Sequence, residues 1–401
     1  MRYPSIENNI PSYIWDICHR FYEAGEDAYV VGGSLRDIIY GKAPSDFDLS
    51  TSALPRRTAE IFSNMRVIET GIKHGTVTLI ANGSPVEITT FRVDGDYTDS
   101  RHPDRVSFTG RIEEDLARRD FTVNAMAYND RSGLVDPFGG RLDLEARIIR
   151  AVGDPQKRFS EDALRIMRAF RFSAQLELSI DEKTLRGAVD CRGGLSSIAK
   201  ERVSSEFLKL LTSPSPEKVL TIMSKEGILP YIVGEYTPNE KTLSLLNSMP
   251  NDSDARLGFF LSDTEEEQAG EILRSLRISN ALTVAALCVV RGSKRAVSEP
   301  SDARRLVCEC GVHAKNAARA SALMGISHAD APLWVEENKA PTSLSQLEIS
   351  GRDIIDMGAK GKDVGKILNA LLDSVLKDPG LNTRRTLTDL AKKYLEQEAV
   401  K

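Results

Sequence analysis

The sequence predicts an α+β protein: a head built on a small mixed sheet, followed by an elongated all-α remainder. Three observations carry this expectation. Up to about residue 145, short apolar runs rich in β-branched residues recur between Gly, Asn, Asp and Pro. After about residue 147, apolar residues fall at helical spacing and strand alternation almost vanishes. A chain of 401 residues also exceeds one simple core, so several domains are expected.

The strand runs are "AYVV" (28–31), "TVTLI" (76–80), "VEITTF" (86–91) and "NAMAY" (124–128). Residues 92–104, "RVDGDYTDSRHPD", form a polar loop, and a loop that long inside a compact domain is more often functional than idle. Further on, "EDALRIMRAFRFSAQL" (161–176) places Leu164, Met167 and Phe170 or Arg171 at a spacing of three to four. "TSPSP" (212–216), "MPNDSD" (249–254) and "ADAPL" (329–333) cut the remainder into helical pieces. No internal repeat or low-complexity tract is visible.

Apolar residues make up 41% and charged residues 28%, the composition of a soluble globular protein. Five scattered cysteines suit a reducing compartment better than a disulfide framework. No run approaches the ~18 apolar residues of a membrane span, and the N-terminus lacks a signal-peptide pattern. A cytoplasmic protein with no membrane partner is expected. The net charge of −5 excludes a globally basic nucleic-acid binder, yet residues 147–175 hold seven bases (Arg147, Arg150, Lys157, Arg158, Arg165, Arg168, Arg171) against three acids (Asp154, Glu161, Asp162). Such a cluster attracts phosphate, although a solvated helix face gives the same count.

The chemistry begins at "SDFDLST". On a strand Asp46 and Asp48 project to one side while Phe47 and Leu49 project to the other. Two hard oxygen ligands on one face suit Mg²⁺, which completes its shell with water and phosphate. Glu87, a charge within an apolar run, is the best candidate for a third acid. A D-x-D pair also arises by chance at strand ends. Ahead of it, "GGSLRD" puts Gly32, Gly33 and Ser34 at a helix start, a ready anion site, with Arg36 following. The pattern is neither G-x-G-x-x-G nor a P-loop, so a dinucleotide fold is disfavoured. A tight turn that merely needs glycine remains the plain alternative. Glu161, Asp162 and Arg165 are spaced to share one helical face, and acids at a helix start after Ser160 are what capping alone favours.

Taken together, G-G-S-x-R-D, D-x-D, "RRDFTVNAMAYN" (118–129), "DPFGGRLDLEARIIRAVGDPQKRF" (136–159), "EDALRIMRAFRFSAQL" and "ERVSSE" (201–206) resemble the ordered motifs of class II tRNA nucleotidyltransferases. That family, within the DNA polymerase β-type superfamily, comprises CCA-adding enzymes and bacterial poly(A) polymerases. The resemblance is dense over 28–210 and faint again over 347–376. It implies a polymerase β-like head (1–147), a helical neck acting as base template (148–210), a body (211–310) and a tRNA-binding tail (311–401). It also implies two Mg²⁺ ions on Asp46 and Asp48 with Glu87 as third acid, Gly32, Gly33 and Ser34 on the triphosphate, and Arg36 on phosphate. Arg119 would bind the nucleotide, Asp120 its ribose with support from Asn124, and Asp162 with Arg165 the base edge. Arg168 and Arg171 would steady base and phosphates. An acceptor–donor pair reads cytosine and adenine alike, since each offers an exocyclic amine beside a ring acceptor.

Within the family the expected activity is addition of C, C and A to the tRNA 3′ end from CTP and ATP, by a monomer or homodimer. The loop "DGDYTDSRHPD" disfavours CC-only addition, which goes with its loss. A-adding and poly(A) activity are the alternatives; the mixed-charge end "KKYLEQEAVK" differs from the basic extensions of many poly(A) polymerases. "MGAKGKDVG" stands where many relatives carry Pro-Gly, which bears on tail contacts with tRNA. None of the five histidines precedes an Asp, so a phosphohydrolase signature is absent. His74 reads as structural, and Cys308-Glu-Cys310 with His313 lacks a fourth zinc ligand.

Overall fold

The computed structural model describes residues 3–69, 71–72, 75–95 and 106–399. They fall into two compact units, Met1–Ile232 and Val233–Lys401. His74 and most of the loop at 92–104 lie outside the described residues.

The first unit is built on a seven-stranded mixed sheet. Its strands are β1 (Ala28–Val31), β2 (Asp48–Thr51), β3 (Arg66–Ile68), β4 (Thr76–Ala81), β5 (Ser84–Thr90), β8 (Ala127–Asn129) and β9 (Gly133–Val135). The separate strands β6 (Arg92–Asp94) and β7 (Val106–Phe108) pair with each other. The order across the sheet is β3-β4-β5-β2-β1-β8-β9. Only β2 and β5 run parallel; the other neighbours are antiparallel. β1 is buried along its whole length, which is why "AYVV" is continuously apolar rather than alternating. Helix Ser12–Glu23 closes the unit with Ile14, Ile17, Cys18 and Phe21, the i, i+3, i+4, i+7 stripe of an amphipathic helix.

Strand expectations at 28–31, 76–80 and 86–91 are met within two residues, but "NAMAY" is not one strand. Thr122–Asn124 form a 3₁₀ turn, held by Asn124 N–H donating to Phe121 O, and the strand starts at Ala127. The neck sequence also differs from expectation. Residues 161–165 are no single helix: Pro155–Glu161 ends at Asp162, whose φ of −144° is extended, and a new helix runs Leu164–Leu176. Asp162 Oδ1 accepts from Leu164 N–H at 3.0 Å, so the acid caps the second helix instead of sharing a face with Glu161. Beyond the break the predicted period holds, with Leu164, Met167 and Phe170 buried.

Among the described residues the second unit's regular elements are all helices, from Glu240–Leu245 to Arg384–Ala399. Its helices start or stop at the expected breaks, for example at Ser253 and Ala331. Helices Ser253–Phe260 and Asn280–Ser293 pack closely at Gly258, where an added Cβ would sit 2.6 Å from Ala286 O. Cys308 is exposed while Cys310 is buried beside Leu306 and Ala314, an apolar setting rather than a metal site.

Candidate active site

Strand β2 aims the paired acids. Asp46 lies just ahead of the strand and Asp48 is its first residue, yet alternation holds, because Phe47 between them is buried. In the parallel ladder Asp48 faces Glu87 directly. Glu87 itself is exposed: in β5, Val86, Ile88 and Thr90 are buried and Glu87 and Thr89 face out, so it is not the costly buried charge that its apolar run suggests. All three carboxylates line one cleft of about 590 Å³.

On the other side of Asp48, β1 pairs Val31 with it and then turns into helix Gly32–Ile39. Gly32 adopts φ +72°, where a side chain would be strained and its Cβ would lie 3.2 Å from Arg119 Nη1. The glycines therefore put a helix N-terminus, with free N–H groups, directly beside the acids. Ser34 does not line the cleft; it is buried and its hydroxyl donates to Val31 O at 3.1 Å.

Arginines close the remaining walls, and each is paired with a carboxylate, Arg118 and Arg119 sharing Asp115. Arg36 is buried, 2.7 Å from Asp37, and donates through Nη1 to Asn124 Oδ1 at 2.8 Å. Arg119 donates to Ser50 Oγ and Asp115 Oδ2, each at 3.2 Å. Arg165 donates to Glu161 at 2.8 Å and to Arg118 O at 3.2 Å. Arg168 pairs with Asp120 at 2.7 Å and Arg171 with Glu206 at 2.6 Å. Asp162 Oδ2 accepts from Arg202 at 3.2 Å, so Asp162 and Arg165 are held separately, each by its own partner. The positive run at 147–175 is thus partly compensated by acids outside it: Asp143 and Asp181 at Arg150, Asp120 at Arg168 and Glu206 at Arg171.

Charge crowding shows in the titration of the acids. Burial pushes the Asp48 carboxyl up to about 6; Glu87 and Asp46 add to the rise, and Arg119 opposes it. Asp120 goes the other way. Burial alone would raise it, but Arg168 and the Asn124 amide, 3.1 Å away, hold it at about 2. At Asp115 burial is likewise outweighed, by Arg119 and Arg118, and the carboxyl stays below its ordinary range.

Among the described residues no three His, Cys, Asp or Glu side chains are already drawn together as a metal cage. The donor set still fits a hard divalent cation: it is all carboxylate oxygen, with Asp46, Asp48 and Glu87 lining one cleft. Such a half-built shell suits Mg²⁺, which keeps waters and phosphate oxygens as ligands.

Apart from Ser34, every sequence-predicted residue lines this cleft: Gly32, Gly33, Arg36, Asp46, Asp48, Glu87, Arg119, Asp120, Asn124, Asp162, Arg165, Arg168 and Arg171. Sequence reasoning missed Asp115, the fully buried partner of Arg118 and Arg119, although its i−3 and i−4 spacing to them was a usable signal. It also missed Phe172, whose ring has Arg171 at 3.9 Å, Arg168 at 5.1 Å and Arg36 at 5.3 Å. Another cavity of about 640 Å³, beside Lys315, Arg319 and Leu333 in the second unit, brings together no comparable set of acids, glycines and arginines.

The chain is similar to known proteins along most of its length. Residues 28–150 match the family described as the poly A polymerase head domain, and 177–239 match a probable RNA and SrmB-binding site of polymerase A. The chain is 34% identical to the CCA-adding enzyme of Ligilactobacillus salivarius, over 95% of this chain and 96% of that enzyme. It is 47% identical to the enzyme of Lactobacillus helveticus over 50% of each chain. The crystal structure of Bacillus stearothermophilus CCA-adding enzyme in complex with CTP superposes with a TM-score of 0.82 at 29% identity, covering all of both chains.

Proposed function

Because the chain belongs to the family of CCA-adding enzymes, which are nucleotidyltransferases, we propose that it adds C, C and A to the 3′ end of tRNA from CTP and ATP, without a nucleic-acid template. The observation that carries this reading is the shared cleft. Asp48 and Glu87 stand side by side in the parallel ladder, with the Gly32-Gly33 helix start on one flank and the neck arginines facing them.

Asp46 and Asp48 would hold two Mg²⁺, with Glu87 as third acid; when bound, these ions lower the pKa of the attacking 3′-hydroxyl and offset charge on the leaving pyrophosphate. The chain's own residues do the rest. Free N–H groups at Gly32 and Gly33 and the guanidinium of Arg36 grip the triphosphate. Ser34 supports that turn from inside through its bond to Val31 O. Arg119, fixed by Asp115, holds the nucleotide. Asp120, kept ionised by Arg168, accepts from ribose hydroxyls, with Asn124 bracing it. Asp162 and Arg165 present an acceptor and a donor to the base edge, while Arg168 and Arg171 steady base and phosphates. Locking each group through its own partner is the preorganisation that base selection without a template requires.

The division into head (1–147), neck (148–210), body (211–310) and tail (311–401) belongs to this proposal, with the tail contacting tRNA. So does action in the cytoplasm, as a monomer or homodimer. No helix among the described residues is long and apolar enough to cross a membrane.

The test supplies tRNA ending before CCA, after C, or after CC, with each labelled nucleotide in turn. C joins the first two substrates and A the third. Addition of A alone to the third marks an A-adding enzyme, and a long A-tail on generic RNA marks a poly(A) polymerase.

A further inference from the structure

A second cleft, of about 700 Å³, adjoins the first and shares Arg36, Asp46, Arg171 and Gln175 with it. To this common wall it adds Lys42 and Lys209. Arg36 is already matched by Asp37 at 2.7 Å, and Arg171 by Glu206 at 2.6 Å. The lysines are matched less closely or not at all. Lys42 Nζ lies 5.2 Å from the Tyr40 ring centroid and has no carboxylate partner among the described residues. Lys209 reaches Glu206 only at 4.0 Å, with its side chain 58% exposed.

We propose that this cleft receives inorganic pyrophosphate as it leaves the catalytic cleft. The inference rests on the nucleotidyl-transfer reading above. In that reaction the RNA 3′-hydroxyl gives up its proton to water and its oxygen bonds to the α-phosphorus of the nucleotide. The bond from that phosphorus to the bridging oxygen breaks, and the bridging oxygen departs on pyrophosphate. Arg36, which grips the triphosphate in the first cleft, also lines the second, so the departing anion keeps one cationic contact while gaining others. Lysine suits a transient stop: its ammonium is a hydrated point charge, without the bidentate fork that makes arginine a tighter phosphate ligand. An RNA strand fits less well, because no aromatic side chain lines this cleft to stack a base.

The experiment uses the full chain with Lys42→Gln and Lys209→Gln combined, and with Lys42→Arg and Lys209→Arg as the charge-keeping control. Labelled CTP incorporation into tRNA is measured against added sodium pyrophosphate, and the reverse reaction is measured with pyrophosphate as substrate. Loss of the two surface charges raises the half-inhibiting pyrophosphate concentration, and its KM in reverse, by about five-fold. The first-turnover rate and the KM for tRNA stay unchanged, and the arginine pair holds pyrophosphate at least as tightly as the unsubstituted chain. A raised KM for tRNA with unaltered pyrophosphate sensitivity assigns the cleft to RNA and overturns the proposal, as does no change in either. Failure of the unsubstituted chain to release pyrophosphate overturns the nucleotidyl-transfer reading, and this inference with it.

Discussion

Asp48→Asn removes a charge that the fold holds at a cost. The carboxyl is pushed up to about 6, first by burial and then by Glu87 and Asp46, whereas an unfolded aspartate titrates near ~3.9. The folded state therefore favours the neutral acid. Asp48's contribution to stability is intact below about pH 4, is lost as pH rises through about 6, and stays lost above. A gap of about two pKa units at about 1.4 kcal/mol each amounts to roughly 3 kcal/mol at pH 7.5. Partial solvent access to the side chain reduces this to about 1–3 kcal/mol. The isosteric amide escapes that cost. Without metal or nucleotide, Asp48→Asn should unfold several degrees above the unsubstituted chain at pH 7.5 and level with it at pH 4. Added Mg²⁺ should stabilise only the unsubstituted chain. Thermal unfolding followed by circular dichroism reads all three comparisons. A variant that melts lower at pH 7.5, or a difference that does not change with pH, refutes the charge-crowding account.

Other outcomes follow from the ion pairs. Asp115→Ala leaves Arg118 and Arg119 without their buried partner and should cost about 3–5 kcal/mol, read from denaturant unfolding, together with a raised KM for nucleotide. Asp162→Ala or Arg165→Ala should relax base choice by roughly ten- to a hundred-fold, as unmade hydrogen bonds cost about 1–3 kcal/mol; single-nucleotide incorporation assays with all four nucleotides measure it, and retained preference for C and A defeats the template idea. Among the described residues Arg147 and Lys157 are the bases of the 147–171 run without a carboxylate partner. Replacing both with Gln should therefore flatten the slope of log tRNA affinity against log salt by no more than about 2.

Much of the site was legible because its signals are local. Strand alternation puts Asp46 and Asp48 on one side however long the strand is, and β1 is so buried that its four residues announce themselves. Signals that depend on distant partners were not legible. The helix break at Asp162 is set by a cap to Leu164 and a pair with Arg202, while the flanking residues all tolerate a continuous helix. Counting charge along residues 147–175 suggested a bare basic track, because Asp120, Asp181 and Glu206 approach from elsewhere in the chain. Phe172 carries no signal of its own in the sequence, and only the fold brings Arg36 to its ring. Glu87 was chosen for a reason that fails, since its side chain is exposed, yet its register against Asp48 places it in the cleft.

The central claim is that the cleft around Asp46 and Asp48 carries out nucleotidyl transfer to tRNA. The most direct measurement is labelled CTP and ATP incorporation by Asp46→Ala and Asp48→Ala, alongside tRNA binding by filter retention. Incorporation abolished in both variants, with tRNA affinity within about two-fold of the unsubstituted chain, is the predicted result. Turnover near that of the unsubstituted chain in either variant would contradict it.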